Sequence, residues 1–394
     1  MRKHLHASER DNWGVSGRRI PMVALLLETS REFGRGVIRG INNYSKAHGP
    51  WNFYINPGDI SPKLPPSNLW HFDAIIGRIT AHRTLTEALA RKVPIVFLGY
   101  GPYKGPIYVR SDSNAVCEMA FKYLSNRGFS RFGYCGLNTE WGRERSTRFG
   151  TYVKKAGKEL HNFVYNARNG NSLELQLCEW LAALPKPIGL MAQDDLFAKA
   201  VIDMCRLAGV EVPQHVAVLG VDNDELVCNL STPALSSISV NAERIGFEAG
   251  RALDSLFIGK SPRALSLVKP IGVVSRQSTD TIGADDPIVA GALQFIRQHA
   301  MEPIGVSDLL QYLLVSRRTL EMRFEKIVGR SPRKEIERIR LSTAQDLLIN
   351  TDMKISAVSD KAGFASVQYL HQVFQRQLGQ TPSEFRVANR SFVR

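Results

Sequence analysis

No stretch of the 394 residues approaches the roughly 18 consecutive apolar positions that a bilayer-spanning helix requires. The opening MRKHLHASERDNWGVSGRR has no apolar core of the kind a secretory signal carries. Residues 1–19 read instead as a polar leader that cannot bury enough surface to offset its own ordering. Cysteine is scarce and odd in number: Cys117, Cys135, Cys178, Cys205 and Cys228. No two are spaced as metal ligands or as a redox pair, so they read as reduced thiols of a cytoplasmic protein. A Walker A loop, a Gly-x-Ser-x-Gly elbow, a His-Glu-x-x-His helix and a paired-cysteine zinc site are all missing. The glycines of 99–105 lack phosphate-loop spacing and read as a turn. These absences argue against an enzyme, and they call for no cofactor, no metal and no membrane.

What remains is the composition of an ordinary globular chain, 44% hydrophobic and 22% charged, and long enough for two or three cores. The formal charge of +14 favours a polyanionic partner. It is spread along the chain: from Pro287 onward there are 16 Lys+Arg against 10 Asp+Glu, so composition alone does not place that partner.

From residue 20 to 276 short apolar runs alternate with amphipathic stretches. Runs at Met22–Leu27, Ala74–Ile79, Pro94–Leu98, Arg131–Cys135, Ile188–Met191 and Val216–Val221 read as strands. Val37–Ala47, Ala115–Ser125 and Leu196–Ala208 read as helices between them. That alternation predicts right-handed βαβ units and parallel sheet, and its length predicts two lobes. Residues 277–287, QSTDTIGADDP, are polar and turn-rich and read as a linker. From 288 to 394 every segment has helical period, which makes a second domain of different class.

Within the helical domain, VSDLLQYLLVSRRTLEMRF (306–324) reads as a helix ending near Leu314, an N-cap at Ser316 and a second helix. With Leu320, Phe324 and Ile327 inward, Arg318, Met322 and Glu325 face out and Glu321 flanks them. An arginine on the first turn of such a helix can bond guanine O6 and N7 together. ISAVSDKAGFASVQYLHQVF (355–374) repeats the design, with Gly363 as C-cap, Ser366 as N-cap and Leu370 and Phe374 inward. Gln368, Gln372 and Gln375 face out, His371 lies at the edge, and glutamine suits adenine N6 and N7. The helical stretch 332–350 between them predicts two reading helices set in successive major grooves, about 34 Å apart. Amphipathic helices with outward arginine and glutamine are common. Two serine-capped copies in tandem, each with Leu-x-x-x-Phe, are not.

RLSTAQDLL (340–348), ISAVSDKAGF (355–364), YLHQVF (369–374) and GQTPSEFR (379–386) resemble the AraC-type signature across about the last hundred residues. The resemblance implies a seven-helix domain that contacts double-stranded DNA through Arg318, Glu321 and Met322 in one helix. It implies Val367, Gln368, His371 and Gln372 in the other. The turn before the first reading helix usually holds glycine; here Leu314 stands there.

In the front region polar residues stand where strands end: RSDSN (110–114), RSTRFGTY (145–152), MAQDD (191–195) and GVDNDE (220–225). Open α/β sheets bind ligands at that edge, and a sugar needs fixed carboxylates, amides and guanidinium groups there, with apolar faces for its C–H surface. The succession resembles the ligand core of LacI-type regulators and periplasmic sugar-binding proteins. It implies Asp112, Arg148, Gln193 or Asp194, and Asp222 as polar contacts, with Phe33 and Trp141 for stacking. Asp112 and Asp194 each precede a helix, where an N-cap is an equal reading. Arg148 also reads as an exposed helix residue or an anion contact, and Phe33 and Trp141 also read as packing. LacI-type relatives carry their DNA reader ahead of the core, whereas this chain places an AraC-type domain after it.

The expected architecture is therefore an α/β two-lobed, periplasmic-binding-protein-like sensor followed by an all-α AraC-type domain with two helix-turn-helix motifs. This order resembles bacterial xylose operon regulators as a group. That implies D-xylose or a related pentose as effector, homodimerisation through the sensor, and activation of sugar-catabolic genes at an operator or promoter, with RNA polymerase as a further partner. The alternatives are a response to another monosaccharide, repression, or sugar binding without gene control.

Overall fold

A computed structural model describes residues 19–55, 57–58, 71–79, 82–99, 107–165, 172–284 and 286–390. The expected leader, apart from Arg19, and most of the 99–105 turn lie outside them.

Two six-stranded sheets form the front of the molecule. The first holds β1 (Met22–Leu26), β2 (Asn52–Ile55), β3 (Ala74–Gly77), β4 (Ile95–Phe97), β5 (Ile107–Ser111) and β11 (Leu265–Val268), in the order β11-β5-β4-β3-β1-β2. The second holds β6 (Arg131–Leu137), β7 (Glu159–Tyr165), β8 (Ile188–Ala192), β9 (Val216–Val221), β10 (Ser236–Ser239) and β12 (Gly272–Val274), in the order β12-β10-β9-β8-β6-β7. All pairings are parallel except β10 with β12. β1, β3, β8 and β9 are buried almost throughout, as strands covered on both faces must be. Each of the six expected apolar runs falls on a strand.

The chain passes between the lobes three times: after β5, after β10 and after β11. Helices α1 (Glu32–His48) and α8 (Ala242–Phe257) pack on the first sheet around Val37, Ile41, Ile245 and Ala249. They cross closely: a Cβ on Gly40 would lie 1.9 Å from the Glu243 carbonyl oxygen. The second lobe carries α3 (Ser113–Ser125), α4 (Glu140–Lys155), α5 (Leu173–Ala183), α6 (Asp195–Leu207) and α7 (Glu225–Leu230). The remaining front helix, α2 (His82–Ala90), follows β3.

Of the segment expected as a linker, Gln277–Thr279 forms a 3-10 turn against the second lobe, with Ser278 and Thr279 fully buried. The Ser278 hydroxyl donates to the Val218 carbonyl at 2.6 Å and accepts from the Ser236 amide at 2.8 Å. Ile282 and Ala284 pack with the helical domain.

Among the described residues seven helices follow: α9 (Pro287–His299), α10 (Val306–Leu313), α11 (Arg317–Val328), α12 (Pro332–Asn350), α13 (Ile355–Lys361), α14 (Val367–Leu378) and α15 (Pro382–Arg390). They form two small cores, one around Leu293, Leu309, Leu320 and Phe324, the other around Leu348, Val358, Leu370 and Phe374. The long α12 serves both, through Ile336 in the first and Leu341, Ala344 and Leu348 in the second.

A candidate sugar cleft and a candidate DNA-reading face

Strand order reverses at β1/β3 in the first sheet and at β6/β8 in the second. These are the points where open α/β sheets leave a crevice. Glu28 and Phe33 follow β1, and Arg78 follows β3. Trp141 follows β6, Gln193 and Asp194 follow β8, and Asp222 follows β9. The strands thus deliver most of the expected set to one opening between the lobes.

Asp222 has φ 106° and Asn223 φ 52°, two successive residues in the left-handed half of backbone space. No described residue donates a hydrogen bond to the Asp222 carboxylate. Burial pushes its carboxyl up to about 7; the Arg145 guanidinium opposes that rise and Asp194 adds to it. Behind it, burial and the Asp222 charge hold Asp195 well above the usual carboxylate range, against bonds from the Ser237 hydroxyl and the Asp224 amide at 2.7 Å.

Asp112 and Asp194 both cap helices. Asp112 accepts from the amides of Asn114 and Ala115 at 3.0 and 3.1 Å, and Asp194 from that of Phe197 at 2.8 Å. Each cap uses Oδ1. The Oδ2 of Asp194 accepts from the Gln193 amide nitrogen at 3.1 Å and lies 3.8 Å from Arg31 of the opposite lobe. Gln193 is buried, and its Oε1 accepts from the Leu137 amide at 2.8 Å. Arg148 pairs with Glu144 at 2.7 Å, and Glu144 also takes Arg110 of the other lobe at 2.9 Å. Phe33 and Trp141, from opposite lobes, both face Arg78, whose guanidinium carbon lies 5.6 and 4.4 Å from the ring centroids.

Three residues here were not singled out from the sequence. Glu28 is buried and pairs with Arg78 at 2.9 Å. Both end buried strands in a charge, the same signal that marks Asp222. Arg145 is buried and donates to the Gln193 carbonyl. It shares a face of α4 with Phe149 and Val153, four and eight residues on, whereas Arg148 lies off that face.

In the helical domain, Ser316 accepts from the Thr319 amide at 3.2 Å and Ser366 from the Tyr369 amide at 3.1 Å, capping α11 and α14. Leu320, Phe324, Leu370 and Phe374 are fully buried. Arg318, Glu321, Met322, Gln368 and Gln372 are exposed, and Val367 and His371 are partly so. Both helices present the expected residues outward on one-sided cores. Leu314 takes up φ 53°, the left-handed cap that glycine supplies at Gly363 (φ 76°). The turn geometry is kept without the glycine.

A two-lobed cleft built for a small polar ligand, joined to a tandem helix-turn-helix reader, defines a ligand-responsive transcription regulator. Residues 121–279 match the periplasmic binding protein-like domain family, and residues 309–388 match a helix-turn-helix domain family. The chain is 32% identical over 385 residues to the xylose operon regulatory protein of Escherichia coli (strain K12), covering 93% of this chain and 97% of that one. It is 31% identical over 380 residues to the Haemophilus influenzae protein of the same name, covering 93% and 98%. A solved structure described as a xylose-binding transcription activator, xylR, superposes with TM-score 0.58 at 30% identity, over 94% of this chain and 99% of that one. The chain belongs to the family of xylose operon regulatory proteins: it is a transcription regulator with a periplasmic-binding-protein-like sensor and an AraC-type DNA-binding domain.

Proposed function

We propose that the sensor takes D-xylose or a related pentose between its lobes, and that the occupied form binds a double-stranded operator or promoter and activates pentose-catabolic genes. The single observation that carries the cleft is the Asp222 carboxylate, held at a strained strand end with no described donor, facing Arg145 and Asp194. Two ring hydroxyls donating to it supply what the protein leaves out. The name of the solved relative, a xylose-binding activator, supports the choice of sugar. Arg145, Asp112, Gln193 and Asp194 complete the polar set in this reading, with Arg148 at the rim and Phe33 and Trp141 over the apolar face. Arg318, Glu321 and Met322 read one major groove; Val367, Gln368, His371 and Gln372 read the next. The working form is a cytoplasmic homodimer that engages RNA polymerase and performs no catalysis. The domains run from about residue 20 to 280 and from 288 to 394, with the connection confined to 281–287.

The lobes already touch on both sides of the opening, through Arg31 with Asp194, the Glu32 amide with Asp224 at 2.9 Å, and Arg110 with Glu144. A sugar that adds contacts to both lobes favours this closed arrangement and shifts DNA binding by its differential affinity, typically about 1–3 kcal/mol. Isothermal titration with D-xylose, L-arabinose, D-ribose and D-glucose tests the reading. A pentose should bind, and Asp222→Ala should lose that binding while keeping sugar-free DNA affinity. Unfilled donors on the sugar cost about 1–3 kcal/mol or more. Equal sugar affinity in the variant removes Asp222 from the site, and no pentose binding to the wild type removes the pentose.

A further inference from the structure

A cavity of about 530 Å³ lies between the two helix-turn-helix units, lined among others by Ser307, Arg317, Arg333, Glu337, Arg340 and Tyr369. Ser307 stands at the N-terminal end of α10, Arg317 at that of α11, and Tyr369 in the first turn of α14. Helices of this class meet the major groove with their N-terminal residues. A cavity onto which both reading helices open at that end therefore faces the duplex, opposite the backbone that runs between the two grooves.

Its lining carries three guanidinium groups and one carboxylate. Glu337 is already neutralised: the Tyr369 hydroxyl donates to it at 2.7 Å and Arg376 at 2.5 Å. Arg340 directs its donors at the carbonyls of Ala300, Glu302 and Ile304, at 2.6, 2.7 and 3.2 Å. Those partners bear no net charge, so the positive charge of Arg340 persists in the cavity wall. Arg317 pairs with Glu321 across the surface at 3.0 Å. Arg333 is exposed and makes no hydrogen bond or ion pair with any described residue; its charge acts only at longer range, on the Glu337 carboxylate that Tyr369 and Arg376 already hold. A guanidinium with all its donors unbonded, beside an uncompensated one in the lining of a duplex-facing cavity, matches a phosphate in charge and in its bidentate geometry.

We propose that Arg333, backed by the charge of Arg340, clamps a DNA backbone phosphate between the two major grooves that α11 and α14 read. The contact carries no sequence information; it fixes the register of the two readers on one strand. It rests on the DNA-reading role of α11 and α14.

Fluorescence anisotropy of the full chain on an arbitrary duplex of about 30 base pairs, three helical turns, tests this, with KCl varied from about 50 to 200 mM. Loss of one phosphate contact lowers the magnitude of the slope of log K against log[KCl] by about 0.9. Arg333→Ala should accordingly lose about 3.5-fold less affinity over that salt range than the wild type, equally on any sequence. Arg333→Lys should keep the wild-type slope, and so should Arg263→Ala, a charge removed from the exposed sensor surface. An unchanged slope in Arg333→Ala, or an equal drop in Arg263→Ala, overturns the clamp. If Arg318→Ala still relaxes base preference when the anisotropy is repeated on a cognate duplex and its single-base variants, the reading role of α11 stands while the clamp falls.

Discussion

Asp222 joins three properties in one side chain: a left-handed backbone, a carboxylate without a described donor, and a carboxyl raised by burial to about 7. A group whose folded value lies above its unfolded value stabilises the fold at low pH and loses that contribution as pH rises through the folded value. The sugar-free protein should therefore become less stable between pH about 4 and about 7, and Asp222→Asn should remove about 3 kcal/mol of that loss. Thermal melts across that range check it; a wild type and variant with parallel curves remove the titration from Asp222. Sugar hydroxyls donate to the ionised form, so pentose affinity should rise at most tenfold per pH unit up to about 7 and then level off. At the other end of the chain, Arg318 is exposed on the first turn of α11. Arg318→Ala should cost about 1–3 kcal/mol on the cognate site and relax preference at one base pair, whereas a loss equal on every sequence would make it a phosphate contact. Glu28, Arg78 and Asp222 follow one rule legible in the sequence, a charge closing a buried run. Arg145 obeys a different one, helical phase with Phe149, and reading the RSTR motif without its phase puts Arg148 in its place.

Helices are set here by their ends and their crossings. Leu314 closes α10 in the left-handed region at 89% exposure, so its side chain recovers little by packing. An L-residue bears about 1–2 kcal/mol there, and glycine gives back part of the gain as unfolded-chain entropy. Leu314→Gly should stabilise the domain by about 0.5–1 kcal/mol, raising its melting temperature without changing DNA affinity. A lower melting temperature would show that the leucine contributes something the cap does not account for. Gly363 tolerates no such exchange in reverse, since a Cβ there would lie 2.8 Å from the Ala300 carbonyl oxygen. That same contact brings the turn of the second unit against the loop before α10, and Arg340 ties the loop to α12. The relative setting of the two readers is thus held by backbone contacts and one arginine, none of which has a sequence period.

Across the whole molecule, α3 runs from the crossover after β5 to the helical domain. Its N-cap is Asp112, and just beyond its C-terminal end the Asn126 side chain accepts from Arg330 at 2.7 Å. Next to it, Arg127 donates to the Thr279 carbonyl at 3.0 Å and to the Ser275 hydroxyl at 3.1 Å, and the Gly283 amide donates to the Arg127 carbonyl at 2.8 Å. Burial lowers both Arg127 and Arg297, and they repel one another beside the buried Glu335, which takes Arg330 and Arg338. The polar run 277–287 reads as linker from composition, yet Ser278 and Thr279 plug the second lobe. A fragment spanning 20–276 should therefore melt well below one spanning 20–280, by several degrees for each kcal/mol lost. Equal melting temperatures would put the boundary back at Arg276.

Sequence alone determined the division into an α/β sensor and a helical reader, the strands that build the sheets, the capped helix pairs and their inward and outward faces. Each of these depends on local periodicity, or on a cap bonding within its own turn, and neighbouring residues carry that information. Only the tertiary structure decided which charges meet. Phe33 and Trp141 come from different lobes to flank Arg78, Arg110 reaches Glu144 across the opening, and Arg333 has no bonded partner among the described residues while Arg340 beside it is bonded. Those pairings join residues far apart in the chain, where distance is set by strand order and helix crossing and no period records it.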